Sequence, residues 1–217
     1  MYRILLIITF ILILAWIFWR IRNQRLQIKT WQLFFQEFIS IKEIFKLENV
    51  TVLQSARITS YQLVLILFLI MAASGFLPII IAGGHLNGVL LIIHVTVAPI
   101  FCVFYALSII LWAHAQRFQS KDWTYLLSLK GEMKNKVDTE IKEMFWQKVY
   151  FWLFMLASLP AIISIILSMY PLFGTEGQDF LLQLHRYSTL LMFILFSLHI
   201  LTLSEIPDQS KNKGKIA

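Results

Sequence analysis

The chain has 217 residues, of which 59% are hydrophobic and 14% are charged, and its mean hydropathy is +0.73. A soluble domain carries about 25% charged residues, so this composition excludes a soluble enzyme and predicts an all-α membrane protein. The net charge of +7 comes from Lys and Arg residues that lie mostly between and after the hydrophobic segments. The positive-inside rule places basic residues there, so the charge indicates topology and not nucleic-acid binding.

Five hydrophobic segments are predicted to cross the membrane as helices, because each is close to or longer than the about 20 apolar residues that a bilayer requires. An amphipathic helix at 30–48 follows the first of them. We predict that it lies on the cytoplasmic face of the bilayer or on a partner subunit. The predicted spans cover residues 4–19, 60–82, 88–113, 149–170 and 180–203.

These elements predict four regions along the chain. They are an N-terminal transmembrane anchor (1–25), a cytoplasmic amphipathic linker (26–55), a four-helix membrane domain (56–205) and a basic cytoplasmic tail (206–217). The segments after the first, third and fifth spans are basic, which places all three on the cytoplasmic side. The short turns GGHLNG and PLFGTEGQD are poor in Lys and Arg, so they are predicted on the opposite side.

Cysteine usage limits the redox chemistry open to this chain. Cys102 is the single cysteine, so no disulfide can form within the chain. The sequence has no C-x-x-C-H motif for covalent haem attachment and no cysteine cluster for iron–sulfur or zinc. Any redox cofactor would therefore be held non-covalently.

Two histidines share one face of the fifth span. His185 and His199 are fourteen residues apart, which brings them to within about 40° of each other around a helix and about 21 Å apart along its axis. Ionisable side chains inside a membrane cost free energy and usually serve a function. Their placement near the two membrane levels indicates haem ligation.

His94 and His185 are predicted to lie at the same depth on two neighbouring helices, near the side of the short turns. Two neutral imidazoles at one depth can hold the iron of a porphyrin between them. Arg186 adjoins His185 at the membrane edge, where a haem propionate would need a cation. Unrelated interhelical hydrogen bonds are the alternative reading.

A ligand to pair with His199 at the inner level is less clear. His114 has a similar depth, but it follows His94 by twenty residues, which turns it about 200° around the helix and away from the fifth span. We therefore predict a solvated, interfacial His114. His85, in the first short turn, is predicted to be exposed.

Over residues 56–205 the chain resembles the cytochrome b subunits of respiratory formate dehydrogenases (the gamma type) and nickel–iron hydrogenases. The likeness rests on short motifs that occur in the family's order and spacing. They are ARITSYQLVLILFLIMAASGF, LLIIH, SKDWTYLLSLKGE, WQKVYFW and the His-x13-His of the fifth span. The first span and the amphipathic segment are additions to the family's four-span plan.

The resemblance implies a four-helix haem-binding bundle with two stacked b haems, the outer one held by His94 and His185. The inner haem would use His199 and a histidine at the position of Ser60. Three outcomes stay open at the inner site. In the first, His199 binds a haem whose second ligand is Tyr61 or a residue of another subunit. In the second, His199 and His114 hold the haem together. In the third, the inner haem is absent and His199 forms a hydrogen bond, for example to a quinone. We favour one bound haem over two. Gln147 is the residue that corresponds to the quinone site of the family.

The resemblance also implies an electron-transfer subunit, not an enzyme by itself, that links a quinone pool to an iron–sulfur or cytochrome c partner. The expected location is the bacterial cytoplasmic membrane, with the short turns in the periplasm. The alternatives are a membrane scaffold and a proton- or ion-conducting subunit. A proton pathway is disfavoured because the predicted spans contain no Asp or Glu in their apolar parts.

Overall fold

The computed structural model describes residues 1–22, 52–84, 86–128, 139–170 and 172–203. These residues form six α-helices and no strands, as expected for an all-α chain. The helices are α1 (Tyr2–Arg22), α2 (Val52–Ala82), α3 (Gly88–Ala113), α4 (Ser120–Ser128), α5 (Thr139–Ser168) and α6 (Gly174–Leu203).

Within the described residues, all helices except α4 are long and apolar enough to cross a membrane, which confirms the predicted all-α membrane fold. Helix α3 has the predicted bounds. Helices α2, α5 and α6 begin six to ten residues before the predicted spans at 60, 149 and 180. Hydropathy marks only the apolar part of a helix, whereas backbone hydrogen bonds continue into its polar first turns. Residues 174–179, predicted as part of a turn, therefore belong to α6.

Parts of the predicted organisation lie outside the described residues. They include the amphipathic helix at 30–48, the basic tail at 206–217 and His85. Of the predicted linker at 26–55, only residues 52–55 are described, and they form the first turn of α2.

The membrane-spanning helices α2 and α3 pack along each other as one antiparallel hairpin, and α5 and α6 pack as a second. A buried cluster joins the two hairpins across the middle of the bundle. In lipid, helices associate through close packing and hydrogen bonds, because lipid tails are as apolar as the side chains. The cluster takes residues from all four helices: Phe68, Phe101, Tyr105, Ala157, Ala161, Met192 and Leu195.

Helix α1 packs in the groove between α2 and α6. Its Leu6 is fully buried and contacts the cluster that includes Phe76 and Leu190. Arg3 Nη2 donates a hydrogen bond to the Ile80 carbonyl at 3.0 Å. Since Ile80 lies near the C-terminal end of α2, the start of α1 lies at the end of the bundle where α2 and α5 end and α3 and α6 begin, which we name the turn end.

Helix α4 lies at the other end of the bundle, within the connection predicted only as polar. Its Asp122 and Lys148 of α5 form a buried ion pair with 2.6 Å between Oδ2 and Nζ. The same carboxylate oxygen accepts the backbone N–H of Gln119 at 2.6 Å, which caps the start of α4 in the manner of a capping box. Tyr125 and Phe145 complete the contact, with ring centroids 5.0 Å apart.

Candidate functional site

His94 of α3 and His185 of α6 face each other toward the turn end. Their ring centroids are 6.5 Å apart and the ring planes are nearly perpendicular, at 87°. The matched depth predicted from the sequence is therefore present in the fold. It arises because both helices leave the turn end and carry their histidines within the first four turns.

The hydrogen bond of His185 fixes the state of its ring. Nδ1 lies 2.8 Å from the carbonyl oxygen of Ala161 on the neighbouring helix α5. A carbonyl oxygen only accepts hydrogen bonds, so Nδ1 carries the hydrogen and donates it. In a neutral imidazole this leaves Nε2 with a lone pair, which is the nitrogen free to bind a metal.

His94 is held in the same state by a side chain. Its Nδ1 lies 3.1 Å from Ser74 Oγ on α2, and the Ser74 hydroxyl donates its one hydrogen to the Met71 carbonyl at 3.1 Å. Ser74 therefore accepts from His94, so Nδ1 carries the hydrogen and Nε2 keeps its lone pair. The ring lies directly on α2, since a Cβ at Gly75 would be 3.2 Å from His94 Cε1.

These donors suit a haem iron with two imidazole ligands. Two metal–imidazole bonds of about 2 Å would set the ring centroids roughly 6 Å apart, close to the observed 6.5 Å. Both Nδ1 atoms donate hydrogen bonds, as the second ring nitrogen of a metal-binding histidine typically does. Arg186 is half-buried directly after His185, so a cation lies beside this pair.

A second feature, the inner cavity, lies between α2, α3, α5 and α6 away from the turn end. Its volume is about 70 Å³, and most of its wall is aromatic. The Tyr61 hydroxyl is buried and makes no hydrogen bond to any described residue. His199 lines the same cavity with its Nδ1 atom buried. The polar side chains of the wall are Tyr61, Tyr105, Ser108, Tyr150 and His199.

The inner level does not fit a second haem with two imidazoles. Among the described residues, His199 is the one histidine that lines the cavity. Ser60, at the position of the expected ligand, is buried and donates to the Arg57 carbonyl at 2.9 Å. Phe68 and Phe196, which line the same cavity, pack against each other with their ring centroids 4.8 Å apart.

The two remaining candidates lie outside the cavity wall. His114 is the C-terminal cap of α3 and is exposed, which agrees with the predicted solvated position. Gln147 lies on α5 one turn before Tyr150, and its Nε2 is buried without a hydrogen-bond partner among the described residues. The structure therefore brings Tyr61 and His199 together, but it does not place His114 or Gln147 with them.

Sequence reasoning missed Ser74, the Ala161 carbonyl and the Asp122–Lys148 pair. The motif that contains Ser74 and Gly75 was visible, but no spacing rule links Ser74 to a histidine twenty residues later. Tyr61, Leu65 and Phe68 share one helical face. Their spacing was a signal from which one wall of the cavity could have been predicted.

Comparisons of the chain with protein-family models, curated proteins and solved structures found no match. The likeness to formate dehydrogenase and hydrogenase cytochromes therefore stays a prediction from the motifs.

Proposed function

We propose that this chain is a b-type cytochrome subunit of a bacterial respiratory oxidoreductase. In this proposal it passes electrons between a quinone pool and a redox partner. The observation that carries the proposal is the His94–His185 pair, whose Nδ1 atoms are both engaged as donors while both Nε2 atoms keep a lone pair. Two imidazoles prepared in this way, at one depth among apolar helices, are typical of a bis-histidine haem site.

In this role His94 and His185 would hold the haem iron and Arg186 would pair with a propionate. Bound haem would supply the one-electron chemistry of iron. The protein orients the two rings through Ser74 and the Ala161 carbonyl. The apolar helices around the pair limit its access to water, which is a recognised means of setting a redox potential.

The inner cavity supports the quinone part of the proposal and a count of one haem. A quinone ring is flat and apolar with two carbonyl oxygens, which suits an aromatic wall with a few hydrogen-bond donors. The Tyr61 hydroxyl and the His199 imidazole supply such groups. Phe68, also in the wall, precedes Ser74 by six residues on α2, about 9 Å along the axis. A quinone in this cavity would therefore lie close to the haem at His94 and His185, and no second haem would be needed between them.

The partners and location follow from the same reading. We propose that the turn end faces the periplasm and an iron–sulfur or cytochrome c subunit of the complex, because the basic segments of the sequence follow α1, α3 and α6, which all end away from it. The membrane is then the bacterial cytoplasmic membrane.

Optical spectroscopy on the purified full chain tests the proposal. We expect the reduced-minus-oxidised spectrum to show the α and Soret bands of b-type haem, and we expect one haem per chain from a pyridine haemochrome assay. A scaffold or an ion-conducting subunit predicts no pigment. A colourless protein, purified from cells that supply haem, would therefore refute the proposed function.

Quinone binding tests the role of the inner cavity separately. We expect Tyr61→Phe to weaken binding of a water-dispersed menaquinone analogue about fivefold, because one hydrogen bond contributes about 1 kcal/mol. The fold should be unaffected, since the hydroxyl bonds no described residue. Fluorescence quenching titrations measure the affinity.

Tyr187→Phe is the matched control, because it makes the same change on α6 toward the turn end, where Tyr187 packs against Tyr2. It should leave the affinity unchanged. Equal affinities for the wild type, Tyr61→Phe and Tyr187→Phe would remove Tyr61 from the site.

A further inference from the structure

We infer that Ser74 is a positioning residue that holds His94 in its ligand-ready tautomer and strengthens it as an electron donor to iron. The tautomer part concerns the protein alone. The effect on iron rests on the proposed haem function. Ser74 lies on α2 and is 3% exposed, so its hydroxyl has no access to bulk solvent.

The geometry gives Ser74 one role toward the histidine. Its single hydroxyl hydrogen points to the Met71 carbonyl at 3.1 Å, which leaves the Oγ lone pairs to face His94 Nδ1 at 3.1 Å. A hydroxyl that already donates to a carbonyl is polarised and becomes a better acceptor. Ser74 therefore favours the hydrogen on Nδ1 and the lone pair on Nε2.

Gly75 allows the His94 ring to pack closely against α2. A Cβ at this position would lie 3.2 Å from Cε1 and 3.5 Å from Nδ1 of His94, so the missing side chain lets the imidazole contact the helix. Ser74 fixes the ring through a hydrogen bond, and Gly75 sets how closely it approaches. These two consecutive residues thus determine the orientation of the His94 ring and its distance from α2.

The two histidines differ in what anchors them. His185 donates to the main-chain carbonyl of Ala161, whereas His94 donates to the Ser74 side chain, which a substitution can remove, with the Met71 backbone also close to its ring. Donation from Nδ1 raises the basicity of the opposite nitrogen, and a more basic ligand favours ferric over ferrous iron. Loss of the Ser74 hydroxyl should therefore raise the midpoint potential of the haem.

Redox titration of the full chain tests this effect with a matched control on the same helix. Ser60 is also a buried serine of α2 that donates to the carbonyl three residues before it, but no contact to His94 is found. We expect the haem of Ser74→Ala to titrate at a more positive potential than wild type, with its haem content retained. Ser74→Thr should restore the potential, and Ser60→Ala should leave it unchanged.

A readout that needs no haem separates the inference from the proposed function. In the haem-free full chain, ring ¹⁵N shifts should show His94 with its hydrogen on Nδ1, and Ser74→Ala should mix the two tautomers. His94→Ala assigns the signals. If the wild type binds no haem, the proposed function fails and the shifts alone decide the role of Ser74. Unchanged shifts in Ser74→Ala, or an unchanged potential where haem is bound, would overturn the inference.

Discussion

His94→Ala and His185→Ala are each expected to abolish the b-type absorption bands of the purified chain. In the proposed function each substitution removes one of the two imidazoles that would hold the iron, and the other described histidines lie in the inner cavity or at the end of α3. A non-covalently bound haem that loses one ligand inside a membrane bundle is then lost during purification. We expect haem per chain to fall from about one to less than a tenth of the wild-type content, since loss of a ligand lowers affinity far more than the 10- to 100-fold that follows loss of a ligand's hydrogen-bond partner.

Two other histidines provide the controls for this experiment. His199→Ala changes the inner cavity, and His114→Ala changes the exposed end of α3. Both are expected to keep the full haem content. Circular dichroism and gel filtration in detergent show whether each variant keeps its fold. If His199→Ala lost the haem and His94→Ala kept it, the haem would be bound at the inner cavity, and the site that we propose would be wrong.

The second large effect is expected at the Asp122–Lys148 ion pair. Both side chains are buried, with 4% and 8% exposure, and their charged atoms are 2.6 Å apart. Removing one partner leaves the other charge buried without compensation, which costs about 3–5 kcal/mol. We therefore expect Asp122→Ala to lower the free energy of unfolding in detergent by this amount and to expose α4 to proteases.

Two controls identify burial of the unpaired charge as the cause. The double variant Asp122→Leu with Lys148→Met replaces the pair by apolar groups, so it should recover most of the lost stability. Lys142→Met removes an exposed lysine of the same helix α5 and should change stability by less than about 0.5 kcal/mol. Equal losses in Asp122→Ala and Lys142→Met would show that the pair contributes no specific stability.

The membrane fold was open to prediction because its signals are local. The apolar run of residues 88–113 gave α3 its bounds directly. The helices α2, α5 and α6 were predicted too short, because their polar first turns carry no hydropathy signal. Helix α4 was missed altogether, since its stability comes from the cap at Gln119 and from contacts with α5, and not from its own apolar pattern.

Some features of the candidate site could likewise be predicted from the sequence, and others could not. Spacing along the chain was enough to place His94 and His185 at one depth, since helix geometry fixes depth from residue number. The sequence also showed that Ser60 stands where the resemblance expects a histidine. It could not show how the bundle would fill the inner level, because Tyr61, Tyr105, Tyr150 and His199 meet only when four helices pack.

The sequence alone therefore determined that the chain spans a membrane as helices and that two histidines share one level. Both properties follow from composition and from the regular rise and turn of a helix. Only the tertiary structure decided which ring nitrogens carry hydrogen, because Ser74 and Ala161 reach the histidines from other helices. It also decided that Asp122 pairs with Lys148, twenty-six residues away. These contacts depend on how helices rotate against one another, which no pattern within a single helix specifies.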